Sequence, residues 1–554
     1  MNRKARHFRW THLFCSLLAF VLWGVQPSLA ENSHCGTLRY LQHLQESRNI
    51  SGKAITKASD ATSCGVDAYY NQVLEKKSKH FQIFYTLEGP HKTTNAFVDT
   101  LAAYAEKAWS LFTEKMKMNP PVGSRSTSYF QQDVDAGYYP IEVMDLDLAY
   151  QSNPTYGVAC HGCYGTTLFS FMEPSKSQLL IDNDFKFTPQ FSGISASYSK
   201  GGKSCSYTVA NQELKNKLHG YSYAEKWGKA IQITIIHELY HAVQIQYANP
   251  FNLSNFWFEA SATGMEEIGA PDVDDYYAYL ETFFGFMGTS LDRTKEDYGA
   301  GLFFIYLYNH VDPQMDRYMW EGFSKSQSTS FMEQFTKVSS SKGLSADSLF
   351  HDFSTRLSFA GSRSALIDSS FWIDDDEAFW PDFSFAATRP SYAFPIQLNE
   401  LSYGFYSGGI PTVDSFEGSS SAILYRGNQA VVKKLSSTTS IDFLQREINT
   451  GTDSVAWIFS RFSENNALPQ GTVDSTFRAY PVPWRQGSLC FTALPSKENF
   501  IEIRTRRGDL ISREKYDSQT YCMDESRVRK LMVPGVYRYR AGSHGKTKDF
   551  IVIY

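Results

Sequence analysis

Residues 235–244 read "IIHELYHAVQ" and place His237 and His241 four apart, with Glu238 beside the first. Positions i and i+4 of a helix share one face, with Cβ atoms ~5–6 Å apart. Two imidazoles so placed can meet one Zn²⁺ at ~2.0–2.1 Å each. Glu238 lies one residue on, about 100° round the helix, and is turned towards a water rather than the metal. HExxH on a helix is the pattern for hydrolysis with a glutamate general base.

The third ligand expected is Glu259 in "FWFEASATGMEE", 18 positions after His241 and past the turn "NPFNLSN". A helix hairpin would return it to the histidines. Two histidines and one carboxylate leave a fourth position open for water, as in catalytic zinc sites. Phe256, Trp257, Phe258 and Ala260 around it are apolar, and a buried carboxylate without a partner costs several kcal/mol, about what a cation removes. Glu266 and Glu267 are the alternative ligands. Thr263 or Glu266 is placed to orient a histidine from behind. Tyr298, opening "YGAGLFFIYLYNH", is the candidate oxyanion donor, with Tyr276 and Tyr277 as weaker ones.

The elements that must position these groups follow from periodicity. "HFQIFYTL" (80–87) alternates as a strand, "PIEVMDLDL" (140–148) and "SQLLIDNDF" (177–185) read as strands, and 95–118 reads as an amphipathic helix. Helices are expected over 222–247, 256–269, 274–286, 298–311, 328–338 and 345–358. The Ser/Gly-rich stretch 192–205 is expected to be a mobile loop over a site. After about 385, short β-rich runs broken by Gly, Ser, Pro and Asn read as sandwich modules. The resulting fold class is α+β: a mixed sheet, the HExxH helix and a helical subdomain, then one or two all-β modules. The expected domains are a signal peptide (1–30), an N-terminal extension or pro-segment (31–79), a catalytic domain (80–384), a β-rich module (385–475) and a C-terminal β-sandwich (476–554).

Arg3, Lys4, Arg6 and Arg9 precede the apolar run "LFCSLLAFVLWGV" (13–25), and Ser28 and Ala30 stand at the small positions before Glu31. This is a secretory signal peptide, cleaved after Ala30; its apolar run is short of the ~20 residues of a spanning helix. Phe14 before Cys15 argues against a lipid anchor. The formal charge is −5, and loss of the four leader cations leaves −9. Such a chain lacks the basic footprint of a nucleic-acid binder. Export favours disulfides. Chain order suggests Cys35–Cys64 and Cys490–Cys522, with Cys160 or Cys163 bonded to Cys205. "CHGC" (160–163) as a redox motif or half a zinc ribbon is the alternative. Asp145, Asp147, Asp182 and Asp184 form either a Ca²⁺ site or acidic turns bonded to their own backbone.

HELYH with a glutamate on the next helix resembles the gluzincin branch of zinc metallopeptidases. The run 178–310 is similar to a group of secreted bacterial metalloprotease-like proteins that share "IDNDF", "HE..HA.Q..Y", "W..E..AT.MEE" and "YG…F..YL". The resemblance covers about half the chain. It implies a zincin-like fold, a single catalytic Zn²⁺ on His237, His241 and Glu259, and Glu238 as base; the expected chemistry, peptide hydrolysis by a zinc-activated water, calls for a protein or peptide substrate. Thr263 departs from it: many gluzincins carry an aspartate there. The C-terminal "VPGVYRYRAGSHGKTKDFIVIY" resembles sorting domains of bacterial surface proteins, which implies cell-surface attachment; a last sandwich hairpin is the alternative. Two other functions fit the chain: an inactive scaffold used for surface binding, and a carbohydrate-binding protein suggested by its 10 Trp and 34 Tyr.

Overall fold

The structure is a computed structural model. It describes residues 35–38, 40, 41, 44, 72–152, 162–170, 172–187, 194–200, 203–209, 211–252, 254–293, 298–326, 330–388, 398–408, 418–435, 452, 454–462, 478–480, 489–492, 494, 500–505, 508–516, 520–542 and 548–552. The leader, Cys64 and Cys160 lie outside the described residues. Contacts divide the chain into two units, Met1–Glu464 and Asn465–Tyr554.

The first unit is α+β around a mixed sheet. Its strands are β1 (Leu74–Lys77), β2 (Phe81–Tyr85), β3 (Val122–Gly123), β4 (Tyr139–Met144), β5 (Gly165–Phe169) and β6 (Lys176–Asp182). The order is β1-β2-β4-β6-β3, with β5 also on β6. β2, β4 and β6 run parallel, and β5 runs antiparallel to β6. β2 and β4 are buried along their whole length, as parallel strands covered on both faces must be.

The helix Asn95–Trp109 starts where Thr94 Oγ1 accepts from Phe97 N at 3.1 Å, and it packs on the sheet and on the helix Trp227–Gln244. It passes into a π-helical turn at Ser110–Lys115, short of the expected end at 118. The helix Trp227–Gln244 is buried almost all round from Ala230 onward. A helix without a polar face belongs inside a core, and this one lies between β5, β6 and the helix Asn255–Gly269.

Several expected elements differ. The run 140–148 is a strand only to Met144; Leu146–Ser152 is helical, started by Asp182 Oδ2 accepting from Leu146 N at 3.1 Å. The described residues of the stretch 192–205 are strands rather than a loop. Ile194–Lys200 and Lys203–Val209 form an antiparallel hairpin, with Lys200 opposite Lys203. A helix at Met315–Lys325 was not expected. Its inward-facing Asp316 interrupts the apolar pattern that would have marked it.

A five-stranded sheet follows, containing Ser402–Gly408, Ser419–Arg426 and Ser454–Arg461. It is not a separate module beginning at 385: Leu401, Tyr403, Phe405, Ile423 and Ile458 belong to the same apolar core as the helices before them. His351 bridges the two, with Nδ1 2.7 Å from Ser460 Oγ and Nε2 2.7 Å from Ser421 Oγ. In the second unit a three-stranded and a four-stranded sheet bury one shared cluster that includes Leu489, Phe491, Ile501, Ile503 and Tyr539. Antiparallel register sets Cys490 opposite Cys522, and both Cys522 and Cys163 are disulfide-bonded. Among the described residues no helix is long and apolar enough to cross a membrane.

Candidate metal centre

His237 and His241 lie on the inward face of Trp227–Gln244, and Glu259 lies on the neighbouring helix. Asp316 ties the two helices together behind the site. It accepts from Trp257 Nε1 at 2.9 Å, from Trp320 Nε1 at 3.1 Å and from the hydroxyl of Tyr240. Trp257 also stacks on Trp320, and Phe258 stacks on His241 with ring centroids 4.0 Å apart. Burial pushes the Asp316 carboxyl up to about 6 against these donors.

Glu259 Oε2 is 3.3 Å from His237 Nε2, and Oε1 is 3.5 Å from His241 Nε2. A fourth donor joins them: Cys35 Sγ is 3.5 Å from His241 Nε2 and 3.9 Å from Glu259 Oε1. Cys35 is therefore a thiol in this cluster and not half of the expected disulfide with Cys64. Chain order cannot reveal a partner some two hundred residues away.

The donor set fits a metal ion. All four residues are buried, and their ligand atoms lie within 4.8 Å of one another. Donors each ~2.0–2.3 Å from a tetrahedral centre stand about 3.3–3.8 Å apart, close to the spacings above. His237 Nε2 and Glu259 Oε2 are fully buried and make no hydrogen bond; their mutual approach lacks the geometry for one. Buried polar atoms of this kind are costly unless a cation completes them.

The outer imidazole nitrogens are clamped. His237 Nδ1 is 2.5 Å from Glu266 Oε1. His241 Nδ1 is 2.7 Å from Gln244 Oε1, and Gln244 Nε2 donates to Phe258 O at 2.9 Å and to Ser261 Oγ at 2.8 Å. Such partners fix ring orientation and leave Nε2 for the metal. Glu266 thus acts behind the site rather than as a ligand, and Thr263 takes no part, its hydroxyl making no hydrogen bond. Glu267 points to a different acidic neighbourhood, where burial and then Asp374 and Asp274 push it up to about 10. Gln244 was missed by sequence reasoning, although its position three after His241 was the available signal.

Among the protein groups alone, burial pushes the Glu259 carboxyl up, but His241 and His237 outweigh it and hold it down to about 2. Burial, then Glu238 and Glu259, pushes the Cys35 thiol up; a dication at the centre reverses that balance.

Glu238 faces the site from the other side. Its Oε2 accepts from Thr37 Oγ1 at 2.8 Å and from Thr167 Oγ1 at 2.7 Å. Gly165 on β5 permits this approach: a Cβ there would stand 2.6 Å from Thr234 Cγ2 and 2.9 Å from Glu238 Cγ. The Tyr298 hydroxyl is buried without a hydrogen bond, its ring 6.2 Å from that of His237 and stacked on Tyr279. Burial first, then the charges of Glu259 and Cys35, push its pKa well up, so it stays a donor. Tyr276 and Tyr277 are not at the centre; their hydroxyls donate to Asp374 Oδ2 at 2.7 Å and Asp376 O at 3.4 Å.

Three of the four aspartates considered for Ca²⁺ engage backbone. Asp182 Oδ1 accepts from Phe185 N at 2.6 Å, Asp145 Oδ1 from Leu148 N at 2.8 Å and Asp184 Oδ1 from Lys186 N at 3.0 Å.

No family model and no curated protein matches this chain. A solved structure of PorZ, an essential bacterial surface component of the type-IX secretion system of Porphyromonas gingivalis, matches 18% of the chain at 16% identity, with a TM-score of 0.13. The match spans 14% of the PorZ chain. So partial a likeness bears on neither fold nor function.

Proposed function

We propose that this chain is a secreted zinc-dependent peptidase of gluzincin type on a zincin-like fold. The observation that carries the reading is the convergence of two imidazole Nε2 atoms and the Glu259 carboxylate, all buried, with Glu238 on the adjoining face. A His₂Glu set with a soft sulfur within reach suits Zn²⁺ better than a hard, oxygen-seeking cation. Zn²⁺ held by His237, His241 and Glu259 would supply Lewis acidity towards a carbonyl and make a neighbouring water acidic near neutral pH.

The remaining work falls to the chain. Glu238 removes a proton from the attacking water and returns it to the departing amine. The protonated Tyr298 hydroxyl donates to the oxygen that gains charge as the carbonyl becomes tetrahedral. β5 lies on the sheet edge beside the helix of Glu238, and its outward groups Gly165 O and Thr167 N can hold an extended peptide by strand addition. That edge favours a peptide over a glycan as substrate. The C-terminal unit would serve attachment at the cell surface.

Glu238→Gln should keep one equivalent of zinc and lose peptide hydrolysis, whereas His237→Ala should lose the metal. Full cleavage by Glu238→Gln would end the assignment. A second reading, a closed structural metal site, draws on Cys35 as a fourth protein ligand.

A further inference from the structure

The chain brings its own segment, Cys35-Gly36-Thr37, to the β5 edge. Cys35 bridges Gly165 in parallel sense, and Gly36 N donates to Gly165 O at 2.9 Å. Thr167 N donates to Thr37 Oγ1 at 2.8 Å. The fit is close: a Cβ on Gly36 would stand 2.0 Å from Thr166 Oγ1 and 3.2 Å from Gly165 O. The following turn is anchored by Tyr40, whose hydroxyl donates to Phe169 O at 2.6 Å, and by Leu41, buried against Phe169, Ile245 and Phe258. What is left at the centre is a void of about 10 Å³, bordered by Cys35, His237, Glu238, Tyr279 and Tyr298. That is room for about one water and none for a peptide.

We propose that Cys35-Gly36-Thr37, near the expected mature N-terminus, is a built-in inhibitory latch whose thiolate occupies the fourth metal position. The proposal rests on the peptidase reading above and assigns the regulation of that same site. Three residues block three requirements together. Cys35 Sγ fills the place of the attacking water, Thr37 Oγ1 engages the base Glu238, and the backbone covers the strand edge a substrate needs. Opening would need only that Cys35 withdraw from the centre and take up a proton as a thiol, leaving its place to a water. No oxidant is required. A cut in the chain beyond Leu44, or a reagent that alkylates the thiol, would hold the latch open. The closed four-ligand set is on this view a resting state, and Glu238 and Tyr298 wait beside it.

The test compares the mature chain with Cys35→Ala and Gly36→Val, each loaded with Co²⁺ for spectra and Zn²⁺ for assay. All three should bind one equivalent. Wild type should show a near-ultraviolet thiolate-to-cobalt charge-transfer band that Cys35→Ala lacks and Gly36→Val weakens. The Cys35 thiol of wild type should react with a disulfide reagent at least tenfold faster after chelation. Both variants should hydrolyse casein at least tenfold faster than wild type. Metal-loaded wild type without the thiolate band overturns the latch. So does equal hydrolysis by wild type and Cys35→Ala, while leaving the peptidase reading standing. A normal band with no hydrolysis by either open variant overturns latency together with the peptidase reading and leaves a closed structural site. Failure of any chain to bind metal overturns both.

Discussion

The Glu266 carboxylate stands 2.5 Å from Nδ1 of His237, seven residues beyond the Glu259 that faces Nε2 of the same ring. One helix therefore presents a carboxylate to each side of one imidazole. Residues seven apart complete two helical turns and share a face; Thr263, one turn after Glu259, lies on that face too, but it is the Glu266 carboxylate that meets the ring. Glu266→Ala should weaken zinc binding about 10–100-fold. Thr263→Val should change it by less than about twofold, since the Thr263 hydroxyl makes no hydrogen bond. Competition against a chromophoric chelator measures both; equal effects would refute the division of roles.

Tyr298→Phe removes one buried donor and little volume. Examined with Cys35→Ala in the same chain, it should lower kcat about 10²–10³-fold with the metal retained. A loss under about threefold would mean that Tyr298 only packs on Tyr279.

The helix of Glu259 crosses the helix Gly301–Tyr306, which begins three residues after Tyr298, at Gly264 and Gly301. A Cβ on Gly264 would stand 2.8 Å from Phe304 Cβ and 3.0 Å from Gly301 O. Gly264→Val must part the helices, at a cost of about 1–3 kcal/mol. The urea midpoint should fall, and on the proposed mechanism hydrolysis by the Cys35→Ala chain should fall more steeply than stability, because Glu259 rides on one helix of that crossing and Tyr298 stands just before the other. An unchanged midpoint would show that the crossing yields freely.

His351 ties the helix Ala346–Leu357 to the following sheet through Ser460 and Ser421. Burial, helped by Lys434, lowers its pKa from the ordinary 6.5 to about 4. The folded state then binds fewer protons than the unfolded one between those values, so its stability declines as pH falls from about 6.5 to 4. The loss from this one group is on the order of 3 kcal/mol. His351→Gln lacks the titration. The difference in unfolding free energy between wild type and His351→Gln should shrink by that order from pH 7 to pH 4. A difference independent of pH would contradict the assignment.

HELYH and Glu259 were legible because helical periodicity is local: spacing four sets two side chains on one face wherever the helix lies. The same holds for β2 and β6, whose apolar patterns needed no partner to be read. Asp316 hid the helix Met315–Lys325 because a buried acid looks like a surface residue until Tyr240, Trp257 and Trp320 are seen around it. The hairpin over 194–209 was hidden by its small polar residues, which resemble loop composition although their backbone pairs in full.

By itself, then, the amino-acid order settled which groups could share a helical face and which turn would bring a carboxylate back to them. Only the fold decided that Cys35 completes the set, that Glu266 and Gln244 hold the imidazoles, and that Thr37 meets Glu238. Those contacts join residues from a few to more than two hundred positions apart. They depend on sheet order and on the close approach that Gly36 and Gly165 permit, and one-dimensional spacing encodes neither.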